Sequence, residues 1–265
     1  MITFGDYIKP KSIEEAYEII STKKPARVMG GGMYMKMGTR RIGLLVDLCD
    51  AGLSYINETE DSVEIGAMTT FREMETSEIL NRCFDEHIQD SIRDVIGVQF
   101  RNIVTIGGTV YIKHGFSDLI LPLLALDARV VFFNGGEISL EDYLKEEGMR
   151  RDILEKIIIP KREVKASYQS LRISKGDYAV LLVSALKDKD GYRITVGARP
   201  QKAALAYDAM KLLNESGATE ENIIRAGEIA SEELTFGTNT RGSKEYRKEI
   251  CKVLVKRALK EVESC

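Results

Sequence analysis

The sequence lacks several features that mark common classes of protein. It has no tryptophan and only two histidines, His87 and His114, which argues against a histidine-rich metal site. No apolar run approaches the roughly 18 residues that a membrane helix needs. The first residues, MITFGDYIKPKSIEEA, carry early acidic side chains and no signal-peptide core. We therefore expect a cytoplasmic protein without a membrane partner.

The cysteines and the charge exclude further classes. Cys49, Cys83, Cys251 and Cys265 are scattered, and no two of them form a C-x-x-C pair. Zinc, iron–sulfur and thioredoxin-type motifs are therefore absent, and we expect most of these cysteines to be small core residues. The net charge of −3 provides no basic field for nucleic acid. We expect no metal site on this chain and no nucleic-acid partner.

The N-terminal part has the pattern of a compact α/β unit. The chain has 265 residues, of which 44% are apolar, and this is enough for a sizeable core. Ser12 and Glu15 have the spacing of a capping box before an apolar helical face. The segment 26–29 reads as a short strand that runs into glycines, and 43–48 reads as a buried strand. The first 50 residues thus alternate helix, strand, loop and strand.

Three more helices are predicted in the middle of the chain. Thr70 is placed to cap a helix that begins at Phe71, and Asp118 is placed to open an apolar helix that contains Pro122. The third helix has an apolar stripe formed by Ile88, Ile92, Val95 and Ile96.

The pattern changes after about Lys161. Three strand-like segments follow, and Asp190-Gly191 between the last two is typical of a hairpin turn. Three helical segments then run to the C-terminal end. Strands followed by helices indicate an α+β arrangement, with helices on an antiparallel sheet.

Two glycine-rich segments, 29–35 (MGGGMYM) and 105–111 (TIGGTVY), are the candidate ligand loops. Neither has the G-x-G-x-x-G spacing of a Rossmann fingerprint or the pattern of a P-loop. Each follows a run that reads as a strand, and each offers backbone N–H groups without side-chain obstruction. The alternative for each segment is a plain turn.

The chain resembles the FAD-binding subunit of the molybdenum hydroxylase family, which includes xanthine, carbon monoxide and nicotinate dehydrogenases. The resemblance covers nearly the whole chain in the expected order. It rests on the two glycine segments and on IGAMTTFREME, FRNIVTIGG, SDLILPLLALDARVV, GDYAV and RGSKEYRKEICKVLVKRAL.

This resemblance implies the fold and the cofactor, which is FAD. Residues 1–163 would form a PCMH-type FAD-binding domain with subdomains at about 1–55 and 56–163, and the dinucleotide would lie extended between them. Residues 164–265 would form a C-terminal domain, a three-stranded antiparallel sheet with helices, that covers the flavin.

The resemblance also implies which residues approach the cofactor. The first segment would wrap the pyrophosphate with backbone N–H groups, and the second would approach the same phosphates and the flavin. Tyr111, Asp118 and Tyr178 would lie near the cofactor; their alternatives are a core aromatic, a helix N-cap and strand packing. The implied glycine-segment residues are Met29, Gly30, Gly31, Gly32, Met33, Tyr34, Met35, Thr105, Ile106, Gly107, Gly108 and Thr109.

Two departures from the family pattern fall in these segments. Met33-Tyr34 stands where the family has Thr-Asp, and Thr109 stands where it has asparagine. We expect backbone contacts and thioether packing to replace the missing polar groups. We also expect valine at Gly31 or Gly107 to block the cofactor while the fold survives.

The implied function is electron transfer, with no catalytic residue on this chain. Electrons would pass from a molybdopterin-binding large subunit through a 2Fe–2S small subunit to FAD, and then to NAD or another acceptor. Two alternatives remain open at this stage. One is a scaffold or assembly subunit without flavin, and the other is a free-standing flavin oxidase.

Overall fold

The computed structural model describes residues 2–23 and 25–264, and the chain forms two compact units. Neither unit is one continuous segment. The first unit contains Met1–Ser77, Gly97–Ile112 and Arg129–Ile159, and the second contains Glu78–Ile96, Lys113–Ala128 and Pro160–Cys265.

Strands and helices alternate only in the N-terminal part of the chain. The strands are β1 Thr3–Ile8, β2 Ala26–Met29, β3 Arg41–Asp47, β4 Ile56–Glu58, β5 Ser62–Gly66, β6 Arg129–Phe132, β7 Gly136–Ser139, β8 Leu154–Pro160, β9 Lys165–Leu171, β10 Leu181–Asp188, β11 Gly191–Gly197 and β12 Ala204–Leu205. The helices are α1 Ile13–Thr22, α2 Met33–Lys36, α3 Phe71–Glu75, α4 Glu78–Cys83, α5 His87–Ile92, α6 Val98–Arg101, α7 Ile106–Ile112, α8 Ile120–Ala125, α9 Leu140–Lys145, α10 Tyr207–Ser216, α11 Glu220–Glu233 and α12 Lys244–Ser264, with a 3-10 helix at Leu48–Asp50.

The first unit contains two sheets. One has three strands in the order β1-β3-β2, and both of its pairings are parallel. The other has five strands in the order β4-β5-β8-β6-β7. Helix α1 covers one face of the three-stranded sheet, where Ala16, Ile19 and Ile20 pack with Leu44 and Val46.

The start of α1 follows the sequence prediction in one hydrogen bond and departs from it in another. Ser12 is the N-cap, and its hydroxyl accepts from the Glu15 N–H at 3.2 Å. The Glu15 carboxylate accepts from the N–H of Lys11 at 2.7 Å, whereas a reciprocal capping box requires the N–H of Ser12. At Thr70 both halves of the capping box form, as a helix beginning at Phe71 requires.

The sequence predicts a strand before the second glycine segment, and this prediction is wrong. The run forms α6, a turn and then α7, which contains Gly107 and Gly108. Apolar residues on all sides of this segment reflect burial, and burial does not distinguish a strand from a short helix. The corresponding prediction for the first segment is correct, because β2 leads directly into Gly30.

Two further predictions in the middle of the chain need correction. Helix α5 ends at Ile92, and Ile96 lies beyond it with a positive φ of 53° and 54% exposure. The predicted four-residue stripe is therefore only half helical. Asp118 does not cap α8, since Leu119 is the N-cap and the Ile120 N–H faces the Ser117 hydroxyl at 3.4 Å.

The second unit contains the predicted antiparallel sheet, and the α+β fold is confirmed. The strand order is β12-β11-β10-β9, so the two-residue β12 adds a fourth strand to the three that were expected. Asp188 pairs with Gly191 where β10 turns into β11, at the predicted hairpin. Helices α10, α11 and α12 follow the sheet along the chain.

The cysteines fit the expectation of core residues only in part. Cys251 is buried, and burial raises the pKa of its thiol to about 12. Cys83 is half-buried and Cys49 is exposed, while Cys265 lies outside the described residues. Across residues 2–23 and 25–264, no helix combines the length and the apolar composition that crossing a bilayer requires.

Candidate cofactor site

The first unit contains a cavity of about 1030 Å³. Small-molecule sites commonly occupy about 300–1,000 Å³, so this cavity has room for a large ligand. Both glycine segments contribute to its wall. The main lining segments are 25–28, 30–35, 38–43, 67–68, 104–105, 107–109, 111–112 and 149–154.

The first glycine segment is a tight turn between β2 and the single helical turn α2. Gly32 is the N-cap of α2 and has a φ of 72°, a left-handed conformation that favours glycine. Within the described residues, the backbone N–H groups of Gly30, Gly31, Gly32 and Met33 have no hydrogen-bond acceptor. Four successive donors beside a cavity are suited to binding an anion.

The side chains after these glycines form an apolar part of the wall. Met33, Tyr34 and Met35 line the cavity, and the Tyr34 ring meets the Phe100 ring edge-on at 6.3 Å. Met29 is not among the residues that line the cavity. Its Sδ lies against the turn, 3.0 Å from the position that a Cβ on Gly32 would take. Met29 therefore packs under the turn.

In the second glycine segment, the backbone N–H groups of 106–109 already donate hydrogen bonds within the protein. The Ile106 N–H donates to the Thr69 carbonyl at 2.9 Å, and the Gly107 N–H donates to the Ala67 carbonyl at 2.8 Å. The Gly108 N–H donates to the Thr105 hydroxyl at 3.2 Å, and the Thr109 N–H to the Thr105 carbonyl at 3.1 Å. These amides cannot also bind phosphate, so the expected approach of this segment to phosphates must use side chains.

Two hydroxyls of this segment can reach a ligand. Thr105 is 3% exposed and lines the cavity, and its hydroxyl proton is still available for donation. The Thr109 hydroxyl is buried and has no hydrogen-bond partner within the described part of the chain. A buried unsatisfied hydroxyl is costly, and the cavity-lining position of Thr109 leaves its hydroxyl available to a ligand or to water. Ile106 is fully buried and does not line the cavity.

Three of the glycines differ in what a side chain would meet. A Cβ on Gly31 would lie 1.5 Å from the Ile103 carbonyl oxygen, and one on Gly107 would lie 2.5 Å from the Ala67 carbonyl oxygen. A Cβ on Gly108 would meet only the Thr105 hydroxyl, at 3.2 Å. The expectation that valine at Gly31 or Gly107 spares the fold is therefore wrong, because these two glycines pack against backbone.

Tyr111 forms part of the cavity wall and of the neighbouring aromatic cluster. Its hydroxyl donates to the Arg150 carbonyl, and its ring lies 6.4 Å from that of Phe132. Burial raises the pKa of Tyr111, so the phenol stays protonated. The ring can contact a ligand, while the hydroxyl is already bonded.

Asp118 and Tyr178 belong to the second unit and do not line this cavity. The Asp118 carboxylate accepts from the Tyr168 hydroxyl at 2.6 Å and forms an ion pair with Arg172. Burial raises the pKa of Asp118, although Arg172 opposes the shift. The Tyr178 ring lies in a loop, 4.6 Å from Phe116 and 5.1 Å from the Arg241 guanidinium. Their implied cofactor contacts stay predictions.

Sequence reasoning missed the arginines of the cavity. Arg150 is paired with Glu146, and Arg151 donates to the Ile20 carbonyl. The other three are exposed and have no ion-pair partner within residues 2–23 and 25–264; they are Arg27, Arg40 and Arg41. A count of basic residues near the first glycine segment would have found these three.

Comparison with known proteins decides the family. A family model described as the FAD binding domain in molybdopterin dehydrogenase matches residues 2–162, more than half of the chain. The chain belongs to this family. A second model, described as the CO dehydrogenase flavoprotein C-terminal domain, matches residues 166–262. The resemblance identified from the sequence is thereby confirmed, and the cofactor of the family is FAD.

The sequences of individual relatives align with this chain over nearly their full length. The nicotine 6-hydroxylase medium subunit of Paenarthrobacter nicotinovorans is 26% identical over 273 residues, covering 96% of each chain. The glyceraldehyde dehydrogenase medium chain of Sulfolobus acidocaldarius is 23% identical and covers 97% of each. The uncharacterized protein YgfM of Escherichia coli K12 is 29% identical over 94% of this chain and 93% of its own.

Solved structures share the fold at lower identity. A Cu,Mo-CO dehydrogenase chain matches with a TM-score of 0.90 at 24% identity, over 100% of this chain and 99% of that one. A chain of quinoline 2-oxidoreductase from Pseudomonas putida 86 matches with a TM-score of 0.90 at 21% identity, over 99% and 97%. The cavity fits the cofactor of the family, since it offers unpaired N–H donors, an unsatisfied hydroxyl and room for a large ligand.

Proposed function

We propose that this chain is the FAD-binding electron-transfer subunit of a molybdenum-containing dehydrogenase, and that the cavity of the first unit holds the FAD. The observation that carries the proposal is the first glycine turn. Its four free N–H groups belong to residues that line a large cavity, and Thr109, whose hydroxyl is unsatisfied, lines the same cavity. Membership of an FAD-binding family supports the same assignment.

Different residues of the cavity would contact different parts of the cofactor. The N–H groups of 30–33 hold the diphosphate, and the Thr105 and Thr109 hydroxyls donate to polar atoms of the cofactor. Met33, Tyr34 and Met35 exclude water by packing against it. The chemistry that FAD would supply is the coupling of one-electron to two-electron transfer, and the residues of this chain would bind and position it.

The partners and the acceptor follow from the kind of complex. We propose a molybdopterin-binding large subunit and a 2Fe–2S small subunit as partners, a xanthine dehydrogenase-like arrangement, NAD as one candidate acceptor, and a cytoplasmic location. Relatives named as medium subunits support a heteromeric complex. The family matches to 2–162 and 166–262 support a domain boundary at about residue 163.

A scaffold subunit without flavin is the second candidate. It is favoured by the donors of the second glycine segment, which are bonded within the protein. The side chains of Met33 and Tyr34 also provide no carboxylate to the first segment.

A visible spectrum separates the two candidates. The full chain is purified under mild conditions, its absorbance between 350 and 500 nm is recorded (about the range of flavin bands), and any released flavin is identified. We expect stoichiometric FAD, and co-purification with large molybdenum-binding and small iron–sulfur chains when all three are expressed together. A colourless chain that takes up no FAD on titration contradicts the proposal and leaves the scaffold role.

A further inference from the structure

The C-terminal helix α12 has one face that is not covered by the described part of the chain. Its inner face packs into the second unit through a row of buried side chains, which are Arg247, Cys251, Leu254, Val255, Ala258, Leu259 and Val262. A second face packs against α11, where a Cβ on Gly227 would lie 2.7 Å from the Lys252 carbonyl oxygen. The remaining face is open to solvent.

Apolar side chains recur on this open face. Tyr246 and Val253 are 48% and 41% exposed, and Ile250 between them is half-buried. Steps of four and three residues place all three on one stripe of the helix, with the spacing of the a and d positions of a coiled coil. Exposed apolar residues are common when they are scattered singly, but a stripe with this spacing is typical of a contact between helices.

Ile224 of α11 extends the apolar surface beside this stripe. It is 41% exposed and follows Glu220 by four residues, so the two side chains lie on the same side of α11. The Glu220 carboxylate lies 2.6 Å from the Lys260 Nζ and 3.7 Å from the Lys256 Nζ. That side of α11 therefore borders the open face of α12.

A second copy of α12 fits the stripe in the antiparallel direction. Across an antiparallel pair the order of positions is reversed, so Ile250 of one copy meets Val253 of the other, and Tyr246 meets Arg257. Arg257 is exposed and has no ion-pair partner within residues 2–23 and 25–264, so its guanidinium is available to stack on the tyrosine ring. A parallel pair would instead bring two Arg257 side chains together.

The charges beside the stripe favour the same arrangement. Glu249 and Lys256 are seven residues apart on one flank, and in the antiparallel pair Glu249 of one copy meets Lys256 of the other. Within one chain, Glu249 pairs with Lys252 at 2.7 Å and Lys256 lies 3.7 Å from Glu220, both in exposed settings. Exposed ion pairs contribute little to stability, so these side chains can change partners at low cost.

We propose that the open face of α12 binds a second copy of this chain, as an antiparallel helix pair related by a two-fold axis. The inference goes beyond the proposed function and does not depend on the cofactor. Two kinds of complementarity support it, since apolar side chains meet in the middle of the pair and opposite charges meet at its flank. One helix pair is a small interface, so we expect a dissociation constant in about the micromolar range.

Sedimentation equilibrium of the full chain over a range of concentrations tests the proposal. The variants are Val253→Glu, Glu249→Lys and Lys256→Glu. The matched controls, Lys211→Glu and Glu215→Lys, each reverse one exposed charge on α10 and should leave the dimer unchanged. We expect Val253→Glu to abolish the dimer. Each reversal at the flank should raise the dissociation constant at least about tenfold, because two like-charge contacts form.

Mixing the two flank variants distinguishes this arrangement from any other. In a dimer of Glu249→Lys with Lys256→Glu, a lysine faces a glutamate at both flank contacts. The mixture should therefore regain nearly the wild-type affinity, which also shows that both variants fold. A mixture that stays monomeric overturns the proposal, as does flank reversal without effect.

The behaviour of the wild-type chain gives the remaining outcomes. A chain that is monomeric at all concentrations, or a dimer that survives Val253→Glu, overturns the proposal. A monomeric chain whose assembly with co-expressed subunits is impaired by Val253→Glu also overturns it, since the open face of α12 would then bind a different protein.

Discussion

The two glycine segments have similar composition and line the same cavity, yet they have opposite hydrogen-bonding states. At 30–33, four backbone N–H groups have no acceptor within the described residues. At 106–109, all four are bonded to Thr69, Ala67 and Thr105. The difference arises because the first segment is a turn that projects from a sheet, while the second is packed into α7. Glycine content alone therefore does not identify a phosphate loop.

The glycines themselves serve different purposes in the two segments. Gly31 and Gly107 allow close packing of backbone against the Ile103 and Ala67 carbonyls, whereas a side chain on Gly108 would meet only the Thr105 hydroxyl. The ligand-facing groups of the second segment are the hydroxyls of Thr105 and Thr109. We expect substitutions to separate folding from binding along this division.

The largest effect is expected for Gly31→Ala. The added Cβ would lie 1.5 Å from the Ile103 carbonyl oxygen, so the backbone of one segment must move. We expect a loss of more than about 3 kcal/mol in the free energy of unfolding of the flavin-free chain, measured in urea. Gly176→Ala is the control, because Gly176 is exposed and an added Cβ there would meet only the Ile96 carbonyl oxygen, at an ordinary contact distance of 3.8 Å. Undiminished stability together with lost flavin would mean that Gly31 faces the cofactor.

A loss of about 2–3 kcal/mol is expected for Arg101→Met, which loosens the packing of α6 before the second segment. The guanidinium Nε and Nη2 of Arg101 lie 2.9 and 3.2 Å from the Glu75 carboxylate oxygens, and both side chains are about one-tenth exposed. Arg93→Met is the control, since Arg93 pairs with Asp90 in an exposed setting where we expect less than about 1 kcal/mol.

The pair also predicts a pH dependence. Burial raises the pKa of Glu75, but the hydrogen bonds from Arg101 and Arg72 outweigh it and hold the pKa below 4.5. A lowered folded-state pKa stabilises the fold above the unfolded-state pKa, and this contribution is lost as the pH falls through the folded-state value. The difference between wild type and Arg101→Met should therefore shrink below about pH 4.5. A constant difference down to pH 3 would mean that packing, and not charge, dominates.

The next largest effect on stability is expected in α7, where Gly107 and Gly108 should respond differently to substitution by alanine. Gly107→Ala places a Cβ 2.5 Å from the Ala67 carbonyl oxygen, and we expect a loss of about 1–3 kcal/mol. Gly108→Ala points into the cavity, and its better helix propensity should leave stability unchanged or raised by up to about 1 kcal/mol. The larger Gly108→Leu should keep the fold and weaken FAD binding. Equal destabilisation by Gly107→Ala and Gly108→Ala would remove the distinction between the two positions.

The smallest effect on stability is expected for Thr109→Val. Removing the unsatisfied hydroxyl should stabilise the flavin-free chain by about 1 kcal/mol and weaken FAD binding by a similar amount. Thr109→Ser keeps the hydroxyl and should retain FAD affinity. If Thr109→Val binds FAD as tightly as wild type, the hydroxyl does not contact the cofactor.

The sequence predicted the family, its cofactor and most of the architecture, and its errors have more than one cause. Where local signals and burial agreed, as in the Asp190-Gly191 hairpin and the Thr70 capping box, the structure follows. Where an apolar run was buried on all sides, as before Gly107, periodicity could not distinguish strand from helix. The sequence also could not predict which backbone N–H groups are already hydrogen-bonded, because the acceptors at Ala67 and Thr69 are brought to α7 only by the tertiary fold.

The most direct test of this account is amide hydrogen exchange, resolved by residue, with and without FAD. We predict that the N–H groups of 30–33 exchange rapidly in the flavin-free chain and become protected when FAD binds. Those of 106–109 should be protected in both states, because their acceptors are within the protein. Protection that appears at 106–109 on binding, while 30–33 continues to exchange rapidly, would contradict the assignment of the diphosphate to the first turn.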